Sequence, residues 1–398
     1  MRIRNLCLSA AAVSLMIVVP AAAHEDEKKH DMAMPGMAGE EVAAADSLGF
    51  IRVSTPAGDD AVIGRKNPLT ELAPEIVTDG GGSTVKVFKL TVEDVKFEIH
   101  PGRTVEGWGF NGLVPGPVIR VDEGDRIRII LTNNTKSESE HTIHVHGQRK
   151  PLGADGVPYL GQKPVRKGET HSIEFTAANA GTSWYHCHVD SAHHVDMGMY
   201  GPFIVNPKEK KFAADREYIL VLDEWPTGHK HLHGGGLAMG DHEEEKHGVV
   251  TEHEGVPRHD GMGMEKEEGK LRSWYPKTYN AYEPVYDTFV INGRSFPYTE
   301  PLEVKEGEKV RMRIINVGYE SHFVHTHSHK FLVVAMDGSP VAVPQERDTV
   351  QVGPGQRVDI LLDADNPGLW PLHCHRLPHV ANDHIYPGGM LAIIRYVE

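Results

Sequence analysis

Three histidines fall within six positions of HTIHVHG at 141–147, and HFVHTH at 322–327 repeats the spacing. Read as a strand, in which successive side chains point to opposite faces, the first segment puts His144 and His146 on one face and His141 on the other. His325 and His327 stand in the same relation to His322. The later segments WYHCHV and WPLHCH obey the same parity: His186 and His188 share a face with Cys187 turned away, and His373 and His375 flank Cys374 likewise. Downstream lie His194 and Met199 in the first repeat, and His379 and Met390 in the second. Each inward set is therefore two histidines, one cysteine and one methionine, and two imidazoles, a thiolate and a weak thioether are the ligands of a blue-copper electron-transfer site. The outward sets sum to eight imidazoles (His144, His146, His186, His188, His325, His327, His373 and His375). Copper suits an all-imidazole cluster and stands highest in the divalent affinity order. A zinc site would normally close with four ligands.

These residues need a scaffold that presents them twice. A chain of 398 residues, 39% hydrophobic, is long enough for two domains with separate cores. Short Val/Ile/Phe-rich runs such as TVKVFKLTV and DRIRIILTN, separated by Gly, Pro and Asn, carry the rhythm of an all-β sandwich or barrel. The stretch FNGLVPGPVIRVDEGDRIRIILTN at 110–133 has its counterpart in INGRSFPYTEPLEVKEGEKVRMRIIN at 291–316. Asn111 and Asn292 are offset by 181 positions, as are His141 and His322, and the cysteines by 187. Tandem β-domains over 80–208 and 214–398 are the simplest explanation. Residues 24–79 read as a loose N-terminal arm, and 227–280 as a flexible insertion. Its stretch 229–264 holds seven histidines and three methionines but almost nothing large and apolar.

A formal charge of -15 repels nucleic acid and anionic lipid, so neither is expected as a partner. Arg2 and Arg4, an apolar run from Leu6 to Pro20 and three alanines at 21–23 have the layout of a cleaved secretory signal. The run is shorter than the roughly 18 to 20 residues that span a bilayer. The mature chain is thus expected outside the cytoplasm, periplasmic or secreted. Cys187 and Cys374 would be its thiols, and metal ligation rather than pairing is expected of them.

Over about residues 84–398 the chain resembles the multicopper oxidases, specifically their two-domain, laccase-like members. HTIHVHG, WYHCHVDSAHHVDMGMYGPFIV, HFVHTHSH and WPLHCHRLPH match that family's copper-binding segments. The resemblance implies two cupredoxin-like Greek-key β-sandwiches and a homotrimeric ring, with each trinuclear cluster between domain 1 of one chain and domain 2 of the next. It also implies that His144 and His325 hold a type 2 copper, and the other six outward histidines a type 3 pair. Complete type 1 sets in both repeats resemble the subclass with a type 1 copper in each domain, about five coppers per chain. Asp155, in LGADGVPYLGQ, matches an acidic residue implied to help deliver protons to oxygen, although an Asp-Gly is more often only a turn.

The chain departs from the family pattern in two places. His194 and Met199 lie seven and twelve positions after Cys187, where five and ten are usual, so His193 and Met197 compete with them. In the second repeat His384 occupies the expected Met position and Met390 comes later. The implied reaction takes single electrons from a reducing substrate, a phenol or a metal ion such as Cu(I), through Cys187 or Cys374 to adjacent histidines. Four such electrons reduce O2 to water. One alternative is a copper nitrite reductase, a family with Asp where His144 stands and without the second histidine after the cysteine. Another is a periplasmic copper carrier for copper tolerance, for which 229–264 and HDMAMPGM at 30–37 supply His and thioether ligands.

Overall fold

The computed structural model describes residues 49–54, 60–227 and 285–398. The expected leader, the first part of the arm and nearly all of the His/Met-rich insertion lie outside the described residues. Among the described residues no helix is long and apolar enough to cross a membrane.

Alternation builds both halves. In Arg126–Asn133, Ile127, Ile129, Leu131 and Asn133 are buried while the arginines face outward. Arg126 and Arg128 both donate to Glu174 on the neighbouring strand Thr170–Thr176. Thr84–His100, Glu75–Thr78 and Arg103–Phe110 complete this sheet. Facing it are Ile119–Asp122, Tyr200–Asn206, Gly181–His186 and His144–Val145. Phe88, Leu131, Ile143, Tyr185 and Phe203 fill the core between the sheets, and Cys187 and Met199 belong to that core.

The second repeat is built alike. One sheet runs Thr288–Ile291, Arg216–Trp225, Lys309–Asn316, Arg357–Asp363, Phe331–Met336, Ser339–Arg347. The other runs Leu302–Val304, Leu391–Tyr396, Leu369–Cys374, His322–Thr326, Thr349–Val352, and Cys374 and Met390 lie in the core between them. Asn111 and Asn292 mark the same corner, with φ of 55° and 53°. Each side-chain oxygen accepts a backbone N–H of the repeat's first long strand, Thr91 at 2.7 Å and Val221 at 2.8 Å. The architecture is thus all-β, two β-sandwiches in tandem.

The expectation of a loose arm over 24–79 fails in its later part. Phe50–Ser54 pairs with Asp60–Arg65, and Ile51, Val53 and Ile63 are buried against Leu369 and Ile393 of the second repeat. Glu75–Thr78 adds an edge strand to the first. Few apolar residues suffice when a hairpin lies on an existing core, which composition alone does not reveal.

The two repeats share a further apolar cluster, which includes Val114, Trp184 and Tyr200 from the first and Val221, Val290 and Ile315 from the second. Beside it Asp359, 2% exposed, accepts hydrogen bonds from Thr182 at 2.5 Å, Arg313 at 3.0 Å and Arg311 at 3.1 Å. Removing one partner of a buried ion pair strands the other charge, so Asp359→Ala is expected to cost about 3–5 kcal/mol in denaturant unfolding. A loss below about 1 kcal/mol would show that water replaces the carboxylate there.

Candidate metal centres

The described residues contain four groupings of metal-ligand type, each drawn from one repeat: His141/Cys187/His194, His144/His146/His186, His322/Cys374/His379 and His325/His327/His373. Within each, the ligand atoms lie within 4.8 Å of one another.

In the first inward site, Cys187 Sγ stands 3.1 Å from His194 Nδ1 and 3.7 Å from His141 Nδ1. Met199 is fully buried, and its carbonyl accepts the Cys187 N–H at 3.1 Å. The two extra residues are taken up by one α-helical turn, Ser191–Asp196, and it is His194, not His193, that the turn brings to the thiol. His193 meets the edge of Trp108 at 5.7 Å between ring centroids, and Met197 is only partly buried. Burial pushes the Cys187 thiol up to about 12 and draws His141 down to about 4, so both are neutral without metal. His141 Nε2 is buried with no hydrogen-bond partner. Neutral imidazoles beside a dry thiol fit a thiophilic cation, which would restore the thiolate.

The second inward site repeats this geometry. Cys374 Sγ is 3.7 Å from His379 Nδ1 and 3.8 Å from His322 Nδ1, and the Met390 carbonyl accepts its N–H at 3.0 Å. Met390 is 1% exposed, whereas His384 is exposed, at φ 66°. The geometry therefore favours Met390 over His384. Phe289 stacks on His379 at 3.7 Å, and burial draws His379 down to about 3.

The outward quartets are equally consistent. His146 Nε2 lies 3.1 Å from His186 Nε2, and His327 Nε2 lies 3.0 Å from His373 Nε2. His188 packs 5.4 Å from His144, and His375 packs 5.3 Å from His325, between ring centroids. Carbonyls only accept, so four Nδ1 atoms must donate: His144 to Asp155 O at 2.6 Å, His186 to Cys187 O at 2.7 Å, His325 to Asp348 O at 2.9 Å and His373 to Cys374 O at 2.9 Å. Each donation leaves the Nε2 lone pair free for a metal, the usual support for a ligating histidine. The strand behind the parity argument is short: His144–Val145 alone is strand in the first segment, and Gly181–His186 ends before Cys187. The faces nevertheless separate as expected.

Asp155 is half-buried beside His144, its carboxylate 3.4 Å from Nδ1, and it pairs at 3.2 Å with Lys150, whose side chain is 2% exposed. Sequence reasoning missed Lys150, the stacking of Trp184 on His146 at 4.3 Å, and the carboxylate of Glu224, 3.0 Å from His322 Nε2.

A blue-copper-type ligand set and a histidine quartet in each of two β-sandwiches define a class, and similarity to known proteins agrees with it. The chain belongs to the multicopper oxidase family, whose models match residues 91–210 and 271–386. It is 32% identical to Laccase-2 of Botryotinia fuckeliana over 320 residues, 77% of this chain and 49% of that protein. A multicopper oxidase of Mycobacterium tuberculosis is 27% identical, covering 75% of this chain and 56% of its own length. The chain thus spans about half the length of the curated relatives it matches. The blue copper oxidase of Nitrosomonas europaea superposes with a TM-score of 0.63 at 35% identity, over 78% of this chain and 85% of that one. The cofactor of the family is copper.

Proposed function

We propose that this chain is a laccase-like copper oxidase that couples one-electron oxidation of a phenol or a metal ion such as Cu(I) to the four-electron reduction of O2 to water. The observation carrying the reading is that one His-Cys-His peptide per repeat serves both kinds of site: Cys187 faces His141 and His194 while its neighbour His186 faces His144 and His146, and Cys374 and His373 repeat this. Copper, when bound, supplies one-electron redox chemistry at the inward sites and dioxygen reduction at the cluster. The chain's residues do the remainder. His141, Cys187, His194 and Met199, with His322, Cys374, His379 and Met390, hold two type 1 ions in dry cores. His144 and His325 hold the type 2 ion, and His146, His186, His188, His327, His373 and His375 hold the type 3 pair.

Each quartet is half of a cluster, and a homotrimeric ring, in which domain 1 of one chain meets domain 2 of the next, closes such heterologous contacts. A cleaved leader and a periplasmic or secreted location belong to the same reading. Paired histidines around each cysteine, together with His144, favour an oxygen-reducing cluster over a nitrite reductase centre. Copper-loaded protein is expected to consume O2 with a phenolic dye; consumption of nitrite with O2 untouched would refute the reading.

Asp155 serves as the proton-delivering group beside His144, with Lys150 holding its carboxylate. Asp155→Asn keeps the backbone carbonyl that orients His144, so copper content and blue absorption are expected to stay while turnover falls about a hundredfold, the scale of a positioned proton donor. Unchanged turnover would remove Asp155 from the mechanism.

A further inference from the structure

The corners at Asn111 and Asn292 differ in the residue that closes them. Phe110 bridges to Leu113 in the first repeat and Ile291 to Arg294 in the second. An apolar residue thus suffices at that position, and the corner itself needs no cation. The two corners meet across the seam between the repeats, where a Cβ on Gly293 would fall 2.5 Å from the Val114 carbonyl oxygen. Beside them runs the segment 67–70. Asn67 Nδ2 donates to Asn292 O at 3.2 Å, and Thr70 O accepts the Val118 N–H at 2.7 Å, so the segment is tied to both repeats. Between these walls lies a cavity of about 400 Å³, lined by both corners and by the segment. Small-molecule sites occupy roughly 300–1,000 Å³.

Arg294 enters that lining as a cation short of partners. It is half-buried, and its guanidinium lies 4.5 Å over the Phe97 ring. Among the described residues its one hydrogen bond runs from Nη1 to Gly293 O, at 2.8 Å. A guanidinium carries five N–H donors, so most of the fork is unanswered. Burial and the nearby Arg65 guanidinium draw the group below the ordinary arginine range, and no carboxylate offsets them. It nevertheless stays charged. Lys96, also in the lining, is treated otherwise and pairs with Glu106 at 2.7 Å. The carboxylates of Glu93 and Asp94 belong to the lining as well, but neither pairs with Arg294, and Asp94 accepts the Lys136 N–H at 2.8 Å. Pro68, Leu69, Val114 and Pro115 supply apolar wall.

We propose that this cavity binds a small monocarboxylate with a compact apolar body, whose carboxylate is held by Arg294. Charge-assisted hydrogen bonds from a guanidinium fork to a carboxylate are among the strong ones, and they would answer the donors that the protein leaves open. The apolar walls take the body of the ligand. A single unpaired guanidinium matches a single negative charge, whereas a doubly charged oxyanion would sit against Glu93 and Asp94 with its second charge unmet. An occupant would touch both corners and the segment 67–70, so binding is linked to the stability of the seam. No step of this involves copper, so the inference goes beyond the oxidase reading and stands or falls apart from it.

Benzoate is the probe, with benzamide as the uncharged analogue and acetate as the charge without the body, each titrated calorimetrically into the full chain. Benzoate is expected to bind at one site per chain and to raise the midpoint of thermal unfolding. Benzamide and acetate should each bind at least about tenfold more weakly, since each lacks half of the recognition. Arg294→Met keeps an apolar side chain against Phe97 and should weaken benzoate at least about tenfold, with copper content and blue absorption as in the parent. If that variant does not fold, Thr70→Trp, at an exposed position of the lining, should fill the cavity and abolish the same binding. No binding of benzoate to the parent chain, or binding that neither substitution weakens, overturns the inference. Acetate bound as tightly as benzoate would also overturn it, because the apolar walls would then contribute nothing.

Discussion

Replacing Cys187 and Cys374 together by serine is expected to abolish the blue absorption and to lower oxygen uptake at least about a hundredfold, a barrier increase of roughly 2.7 kcal/mol. Each cysteine sits in its repeat's core with two histidine Nδ1 atoms 3.1–3.8 Å from Sγ, and each is joined through one peptide bond to a histidine of the outward quartet. A serine hydroxyl keeps the shape but supplies a hard, protonated oxygen where a soft thiolate belongs. The single variants carry further information. If electrons arrive through one repeat only, that single variant falls as far as the double, while the other retains most of its rate. Oxygen uptake in the double variant equal to that of the parent would contradict the assignment of both sites.

A second large effect is expected from mixing inactive chains. One variant carries His144→Ala and His146→Ala and so keeps only half of the first repeat's outward quartet; the other carries His325→Ala and His327→Ala and keeps only half of the second's. Each alone should be inactive, because among the described residues no outward grouping draws on both repeats. Co-assembled in equal amounts, about a quarter of the contacts between neighbouring chains would pair an intact first quartet with an intact second one, since a heterologous contact uses different surfaces of the two chains. Recovery of oxygen uptake to about that fraction supports clusters shared between chains. No recovery, with mixed assemblies verified by mass, would mean that each cluster forms within one chain.

Much of this site was legible in the sequence because its information is local. Two copies of a spaced histidine motif followed by His-Cys-His separate into faces by parity alone, and the faces hold even though only His144–Val145 of the first segment is strand. The choice of His194 over His193 was not legible. It depends on a helical turn between Ser191 and Asp196, which absorbs two residues and rotates one of two adjacent histidines to the thiol. Met390 over His384 depends likewise on which residue the chain buries after the Leu377–Val380 turn. The paired strands Phe50–Ser54 and Asp60–Arg65 are not legible in composition, because their few apolar residues gain their value only against Leu369 and Ile393, far away in sequence. Glu224 escaped for the same reason: its partner His322 is 98 positions distant.

The most direct test of the account is copper per chain in fully loaded protein, measured together with oxygen uptake on a phenolic substrate. Two inward sites and one shared cluster require about five coppers per chain on these ligand types, with O2 consumed. About two coppers per chain, or copper-loaded protein that reduces nitrite and leaves O2 untouched, would contradict it.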